Sequence, residues 1–197
     1  MTKEDKYIFR TIIQDYGIFK FSTKPISEAS KFHFDISELC DSDIDKILTE
    51  RNIKRIKSNS KVSPLSGGIA VIENNIPVIE PTCCNDLQSI NVWEAVLKSD
   101  QNRWRQLWIG HPWIYYKVIE DLVYFSDYTE SGKEEYMEGE QSDIEPIRVI
   151  TILELKNQLS KMRIELNNFK LKLTSKLESI GITSYNGFVN DLVGIED

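Results

Sequence analysis

The sequence predicts an α+β fold, and three observations carry this prediction. The first residues place apolar side chains at helical spacing, from Ile8 to Tyr16. Residues 68–130 change to short runs of β-branched and aromatic residues separated by turn signals. Residues 151–180 then follow a long helical repeat with start and stop signals at its ends. We therefore expect an antiparallel sheet, built as a meander, flanked by an N-terminal helix and a long C-terminal helix.

Length and composition favour a single domain spanning residues 1–197. The chain is 41% hydrophobic and 28% charged, and at 197 residues it can bury about two-thirds of its unfolded surface. Three cysteines, two of them adjacent, do not suit a disulfide framework of the secreted type. The start is charged, and no run approaches the roughly 18 apolar residues of a membrane span. We expect a cytoplasmic protein with reduced thiols and no membrane contact.

The N-terminal third is predicted to hold two helices and a short strand. Gly17 follows the first apolar repeat and suits the left-handed residue that ends a helix. A strand is expected at residues 18–21. Residues 42–45 resemble a capping box, and the apolar residues behind them predict a helix that runs to about Arg51. Residues 58–68 are then a polar connector.

The β-rich centre begins with a predicted hairpin. The runs at residues 69–72 and 76–79 flank Asn74 and Asn75, which tolerate the positive φ of a type I′ turn. Because Pro77 lacks a backbone donor, its strand should lie at an edge of the sheet.

A helix and a second group of strands should follow. We expect Ser89 to cap the helix. Its inward-facing residues are predicted to be Ile90, Trp93, Val96 and Leu97. Strands are expected at residues 107–109, 113–118 and 122–126, the last two as a hairpin.

The closing helix is specified by side chains at both of its ends. Thr151 and Glu154 form a capping box, and Gly181 with Ile182 predicts a Schellman stop after Ile180. One apolar stripe alternates three and four residues apart: Ile152, Leu155, Leu159, Met162, Leu166, Phe169 and Leu173. We interpret this stripe as packing within its own domain, with a homodimer seam as the alternative.

One acidic segment, residues 126–145, carries eight acids and one lysine, which equals the whole net charge of −7. Such a field repels phosphates and attracts basic protein surfaces, so direct nucleic-acid binding is not expected. The candidate partner-binding acids are Glu130, Glu134, Glu135, Glu138 and Glu140. An exposed segment without a binding role is the alternative.

All four tryptophans and one of the two histidines lie in residues 81–130. Trp93 shares an apolar helical face and is predicted to be core. Trp104 stands between two arginines, which predicts an exposed anchor for a partner. Trp108 and His111 are the other candidate partner-binding residues. A histidine between glycine and proline is more typical of a hydrogen-bonded turn than of a general acid or base.

The adjacent Cys83 and Cys84 do not predict a metal site, because neighbouring cysteines cannot converge as a C-x₂-C pair does. A thiol enzyme would need Cys84 beside His111, oriented by Asp86 or Asp127. This small cytoplasmic enzyme stays an alternative, and we expect neither catalysis nor a cofactor. We interpret both cysteines as small packing residues at a strand end.

The β-rich centre contains three features: Pro-Thr-Cys-Cys-Asn-Asp-Leu at residues 81–87, Trp93, and Ile-Gly-His-Pro-Trp at residues 109–113. Together they resemble the SUKH superfamily of bacterial immunity proteins. The resemblance covers residues 69–130. It implies an α+β domain without catalysis that binds and neutralises a cognate toxin, often a nuclease. The acidic segment would suit the cationic cleft of such a toxin. A homodimeric scaffold is the remaining alternative.

Overall fold

The fold consists of two four-stranded antiparallel sheets with helices, which confirms the α+β class. The computed structural model describes residues 6–58, 62–99, 102–130, 144–183, 185 and 187–195. Their strands are β1 (Tyr7–Gln14), β2 (His33–Asp35), β3 (Gly67–Glu73), β4 (Ile76–Ile79), β5 (Arg105–Leu107), β6 (Ile114–Ile119), β7 (Leu122–Phe125) and β8 (Arg148–Thr151). The first sheet has the order β2-β1-β3-β4 and the second β5-β6-β7-β8.

The helices of the described residues surround these sheets. They are α1 (Asp41–Ile47), α2 (Glu50–Lys57), α3 (Ile90–Val96), α4 (Ile152–Ser179) and α5 (Phe188–Val193). A 3₁₀ helix at Leu87–Ser89 leads into α3. None of the helices in the described parts of the chain has the length and apolar character needed to cross a membrane.

The N-terminal segment is a strand, so the predicted N-terminal helix is wrong. β1 pairs with β2 on one side and with β3 on the other, where Phe9 lies opposite Val71 and Ile13 opposite Gly67. The apolar residues follow a helical spacing, which favoured a helix. The residues of the segment are mostly β-branched or aromatic, which is typical of a strand. The burial of β1 alternates from Tyr7 to Thr11 but is continuous from Thr11 to Gln14, so no single alternation runs along the whole strand.

The predicted strand at residues 18–21 is also wrong, since these residues form a loop. The carboxylate of Asp15 accepts hydrogen bonds from the backbone N–H groups of Gly17, Ile18 and Phe19 at 3.1, 2.7 and 2.9 Å. One aspartate therefore satisfies the backbone that a strand partner would otherwise have satisfied. The predicted helix up to Arg51 is interrupted after Ile47, where α1 ends and α2 follows.

The predicted hairpins are confirmed. Asn74 and Asn75 have φ values of 53° and 64° between β3 and β4, as a type I′ turn requires. β4 is an edge strand, so Pro77 leaves no ladder bond unmade. In the second sheet, β6 and β7 form the predicted hairpin, with Ile119 opposite Leu122.

The long helix α4 has the predicted Schellman end and one of the two bonds of the predicted capping box. Thr151 Oγ1 accepts a hydrogen bond from the N–H of Glu154 at 3.1 Å. At the other end, the N–H of Ile182 donates to the oxygen of Leu177 at 2.9 Å, and that of Gly181 donates to Glu178 at 2.9 Å. These are the two bonds of a Schellman motif.

The apolar stripe of α4 packs inside its own chain. Leu155, Leu159, Met162, Leu166, Phe169 and Leu173 are at most 2% exposed. They join a core that includes both sheets and α3. Because this side of the helix is already covered, the predicted alternative of a homodimer seam along this stripe is not available to the folded chain.

Candidate functional site

Three loops meet at one end of the second sheet and present five exposed side chains, which we call the Trp108 face: Cys83, Cys84, Trp108, His111 and Glu130. One loop follows β4, one connects β5 to β6, and one follows β7. Cys83 forms an isolated antiparallel bridge with His111, and Trp113 forms another with Thr129. These bridges bring residues distant in sequence onto one surface.

Gly110 allows the first two loops to touch. Its φ is +100°, and a Cβ there would lie 2.3 Å from the backbone oxygen of Cys83. Only glycine fits such an approach without displacing the backbone. The N–H of Thr82 also donates to the oxygen of Ile109 at 2.8 Å. Gly110 therefore lets the backbones of these two loops approach each other closely.

His111 connects the second loop to the third. Its Nε2 lies 2.7 Å from Oε2 of Glu130, while both side chains stay open to solvent at 46% and 75% exposure. The imidazole also stands edge-on to the indole of Trp113, with 4.6 Å between ring centroids. His111 is thus a hydrogen-bonded turn residue, as predicted, and it holds one acid of the acidic segment at the Trp108 face.

An open groove of about 390 Å³ lies beside Trp108. Trp108 and Cys84 line one part of it, and Asp86 and Asn91 line another. Trp108 is 52% exposed, and its apolar ring lines the same groove as the carboxyl group of Asp86 and the side-chain amide of Asn91. Burial raises the pKa of Asp86, and the hydrogen bond from the N–H of Gln88 only partly offsets this. The groove can bind a group that has an apolar face and hydrogen-bond donors.

The structure corrects two predictions at this site. Cys83 and Cys84 are exposed, so they are not the buried packing residues that the sequence suggested. Cys84 lies in a turn outside the strands, where its φ is +66°. Trp104 is only 5% exposed and is therefore not an exposed anchor. The ammonium of Lys117, from β6, lies 5.0 Å from the centroid of its ring.

Of the predicted partner-binding acids, Glu130 is exposed at the Trp108 face. Glu134, Glu135, Glu138 and Glu140 lie outside the described residues. The structure thus brings together Trp108, His111 and Glu130 from the predicted set and removes Trp104 from it.

The arrangement around the cysteines differs from the one that a thiol enzyme would need. Cys83, and not Cys84, faces His111, and its Sγ donates to the backbone oxygen of His111 at 3.6 Å. Among the described residues, no hydrogen bond joins Cys84 to His111, Asp86 or Asp127. In the same parts of the chain, no three histidine, cysteine or acidic side chains gather as metal ligands would.

No known family model, curated protein or solved structure matches this chain. The resemblance to SUKH immunity proteins therefore depends on the residues quoted above and stays a prediction. The function of this chain is therefore inferred from the geometry of its surfaces.

A part-buried hydrogen-bond network, not predicted from the sequence, joins the first sheet to the loops after β4 and β7. The ring nitrogens of His33 lie 2.6 Å from Oε1 of Glu80 and 3.0 Å from the side-chain amide of Gln14. The hydroxyl of Tyr128 donates to the oxygen of Glu80 and accepts from its N–H, at 3.1 and 2.6 Å. No local sequence signal marks this network, because its four members come from four separate segments.

This network affects the ionisation of two of its members. Burial alone would raise the pKa of Glu80, but the hydrogen bond from His33 helps to outweigh burial and lowers it. Burial raises the pKa of Tyr128 to about 12. Near neutral pH, Glu80 is therefore a carboxylate that can accept from His33, and Tyr128 is a neutral hydroxyl that can donate.

Proposed function

We propose that this chain is a protein-binding domain without catalysis that neutralises a cognate bacterial toxin, as a SUKH-type immunity protein would. The partner would bind the Trp108 face and the acidic segment. The observation that carries this proposal is the exposure of Trp108, at 52%, beside a groove and on the same loop as His111, whose Nε2 lies 2.7 Å from Oε2 of Glu130.

The indole ring of Trp108 provides the apolar part of the proposed interface. Tryptophan is enriched among the few residues that dominate binding energy at protein interfaces. Trp108 lies between β5 and β6 on a loop held by Gly110 and Thr82, so little order has to be gained when a partner binds. The groove with Asp86 and Asn91 provides polar groups around this ring, as the rim of an interface does.

The acidic segment provides the electrostatic part of the proposed interface. Residues 126–145 have a net charge of −7, with eight acids and one lysine, and Glu130 belongs to this segment. Since His111 holds Glu130 at the Trp108 face, the negative field begins at that face. A toxin with a cationic cleft, such as a nuclease, would be steered towards it and would associate rapidly at low salt.

The first toxin to test is the product of the gene next to the one that encodes this chain. We expect the two recombinant proteins to form a complex and the toxin's activity to disappear on mixing. Trp108→Ala should weaken the complex by about tenfold or more, as removal of an interface hot spot does. Tyr16→Ala, which removes another exposed aromatic ring of 58% exposure, is the matched control and should bind normally.

Two results would contradict the proposal. Equal binding by Trp108→Ala and Tyr16→Ala would remove the Trp108 face from the interface. Loss of neutralisation in Cys84→Ser, with binding intact, would favour the thiol enzyme instead, because a binding domain does not need that nucleophile.

A further inference from the structure

The helix α4 carries a second apolar line on the side away from the core. Leu153, Ile164 and Leu171 are exposed by 67, 61 and 64%. They are 11 and 7 residues apart, which is about three and two helical turns, so they lie within about 20° of one line. The line is about 27 Å long.

Between residues 153 and 175 the charged side chains among the exposed positions are all lysines, and the next exposed acid on this side is Glu178, seven residues beyond Leu171. Besides the three apolar residues, the exposed side chains from residue 153 to residue 175 are Lys156, Asn157, Ser160, Lys161, Asn167, Asn168, Lys172 and Ser175. Three lysines without an exposed acid stand out in a chain whose net charge is −7. We call these residues, with Leu153, Ile164 and Leu171, the α4 outer face.

Contacts on the flanks of α4 fix which side faces outwards. Arg163 Nε lies 2.7 Å from Glu94 of α3, and Lys176 Nζ lies 2.8 Å from Asp45 of α1. The fully buried stripe on the opposite side prevents rotation of the helix. The α4 outer face therefore has a fixed orientation and a fixed composition.

We propose that the α4 outer face binds an acidic amphipathic helix of a protein partner. A helix matches a straight apolar line because its own apolar residues recur along one side. Acidic residues beside those apolar residues would lie opposite Lys156, Lys161 and Lys172. A partner helix of about 18 residues spans the line.

A second copy of this chain fits the α4 outer face less well. Pairing two such faces would place lysines near lysines, and like charges across an interface oppose association. The proposal is independent of the proposed function, because the α4 outer face and the Trp108 face share no residue.

A synthetic peptide tests the proposal. The probe is a fluorescent helix of about 25 residues with leucines spaced to match Leu153, Ile164 and Leu171 and with flanking glutamates. Fluorescence anisotropy with the full-length protein should show binding that weakens as salt increases. A second peptide, in which every glutamate is replaced by lysine, should not bind.

Variants locate the binding site. Ile164→Glu combined with Leu171→Glu should weaken peptide binding by about tenfold or more, because carboxylates would replace apolar contacts and repel the peptide. Ile76→Glu is the matched control, since Ile76 is 64% exposed but lies on the β3–β4 hairpin, and it should bind normally. Circular dichroism should give the same helix content for all three proteins.

Three outcomes would overturn the proposal. One is equal binding by the wild-type protein and the Ile164→Glu, Leu171→Glu variant. Another is equal affinity for the acidic and the basic peptide. The third is a wild-type dimer in sedimentation that becomes a monomer in this variant, which would assign the α4 outer face to a second copy.

Discussion

The indole ring of Trp93 lies edge-on to the phenyl ring of Phe9, with 5.5 Å between centroids and 77° between planes. The same indole lies 5.7 Å from the ring of Phe125. Trp93 thus joins α3 to β1 of the first sheet and to β7 of the second. Its complete burial makes it a central packing residue for both sheets.

Trp93→Ala should lower the free energy of unfolding by about 3–5 kcal/mol, as aromatic deletion in a core does. Trp108→Ala makes the same substitution at an exposed ring and should change it by less than about 1 kcal/mol. Trp104→Ala should also be destabilising, because that ring is 5% exposed. Denaturant titrations would measure all three, and equal losses for Trp93 and Trp108 would contradict the assignment.

Elements specified by local side-chain chemistry could be predicted from the sequence. Thr151 with Glu154 and Gly181 with Ile182 fix the ends of α4 through bonds within a few residues. The turn at Asn74 is equally local. The structure confirms these signals, but not the predicted caps at residues 42–45 and at Ser89: α1 begins after Cys40, and neither α1 nor α3 has a side-chain cap bond.

Features that depend on distant contacts could not be predicted in this way. β1 is a strand because β2 and β3 pair with both of its edges, and its apolar spacing alone did not show this. Trp104 is buried although its two sequence neighbours are arginines. At the Trp108 face, the sequence identified Trp108, His111 and Glu130 but did not predict that Asp86 and Asn91 line a groove beside Trp108.

Tyr128→Phe should destabilise the protein by about 1–3 kcal/mol at neutral pH, because the N–H of Glu80 would lose its hydrogen-bond acceptor. Tyr16→Phe is the matched control and should have little effect, since Tyr16 is 58% exposed. Urea titrations would compare the two variants. Equal stability of both would show that the bond to Glu80 does not stabilise the loop.

The contribution of Tyr128 should also depend on pH. Burial raises the pKa of Tyr128 to about 12 in the folded protein, whereas an unfolded tyrosine ionises near pH 10. Its stabilising effect is therefore fully present below about pH 10 and declines as the pH rises towards about 12. The difference in unfolding free energy between wild type and Tyr128→Phe should narrow over that interval.

Asp43→Asn should destabilise the protein by about 2–3 kcal/mol at pH 7, because a buried carboxylate holds a loop against α1. Asp43 accepts hydrogen bonds from the N–H groups of Ser22 and Thr23 at 2.6 and 2.9 Å. It also accepts one from Lys46 Nζ at 3.0 Å. The exposed Asp41 of the same helix provides the control substitution, Asp41→Asn.

The effect of Asp43 should disappear in acid. Burial alone would raise the pKa of Asp43, but the bonds from Ser22, Thr23 and Lys46 outweigh burial and hold the pKa well below its usual range. The stabilisation is present above about pH 4, where an unfolded aspartate is ionised, and it is lost as the pH falls. A gap between wild type and Asp43→Asn that stays constant down to pH 2 would contradict this account.

The acidic segment is tested by a variant in which four glutamates are replaced together by glutamine: Glu134, Glu135, Glu138 and Glu140. If the segment steers a basic toxin, the association rate should fall and its dependence on salt should flatten. The free energy of unfolding should hardly change, because exposed charges contribute little to it. Stopped-flow mixing at several salt concentrations would measure the rate. An unaltered rate and salt slope would mean that the four glutamates do not steer the partner, and that binding depends on Trp108 and the groove beside it.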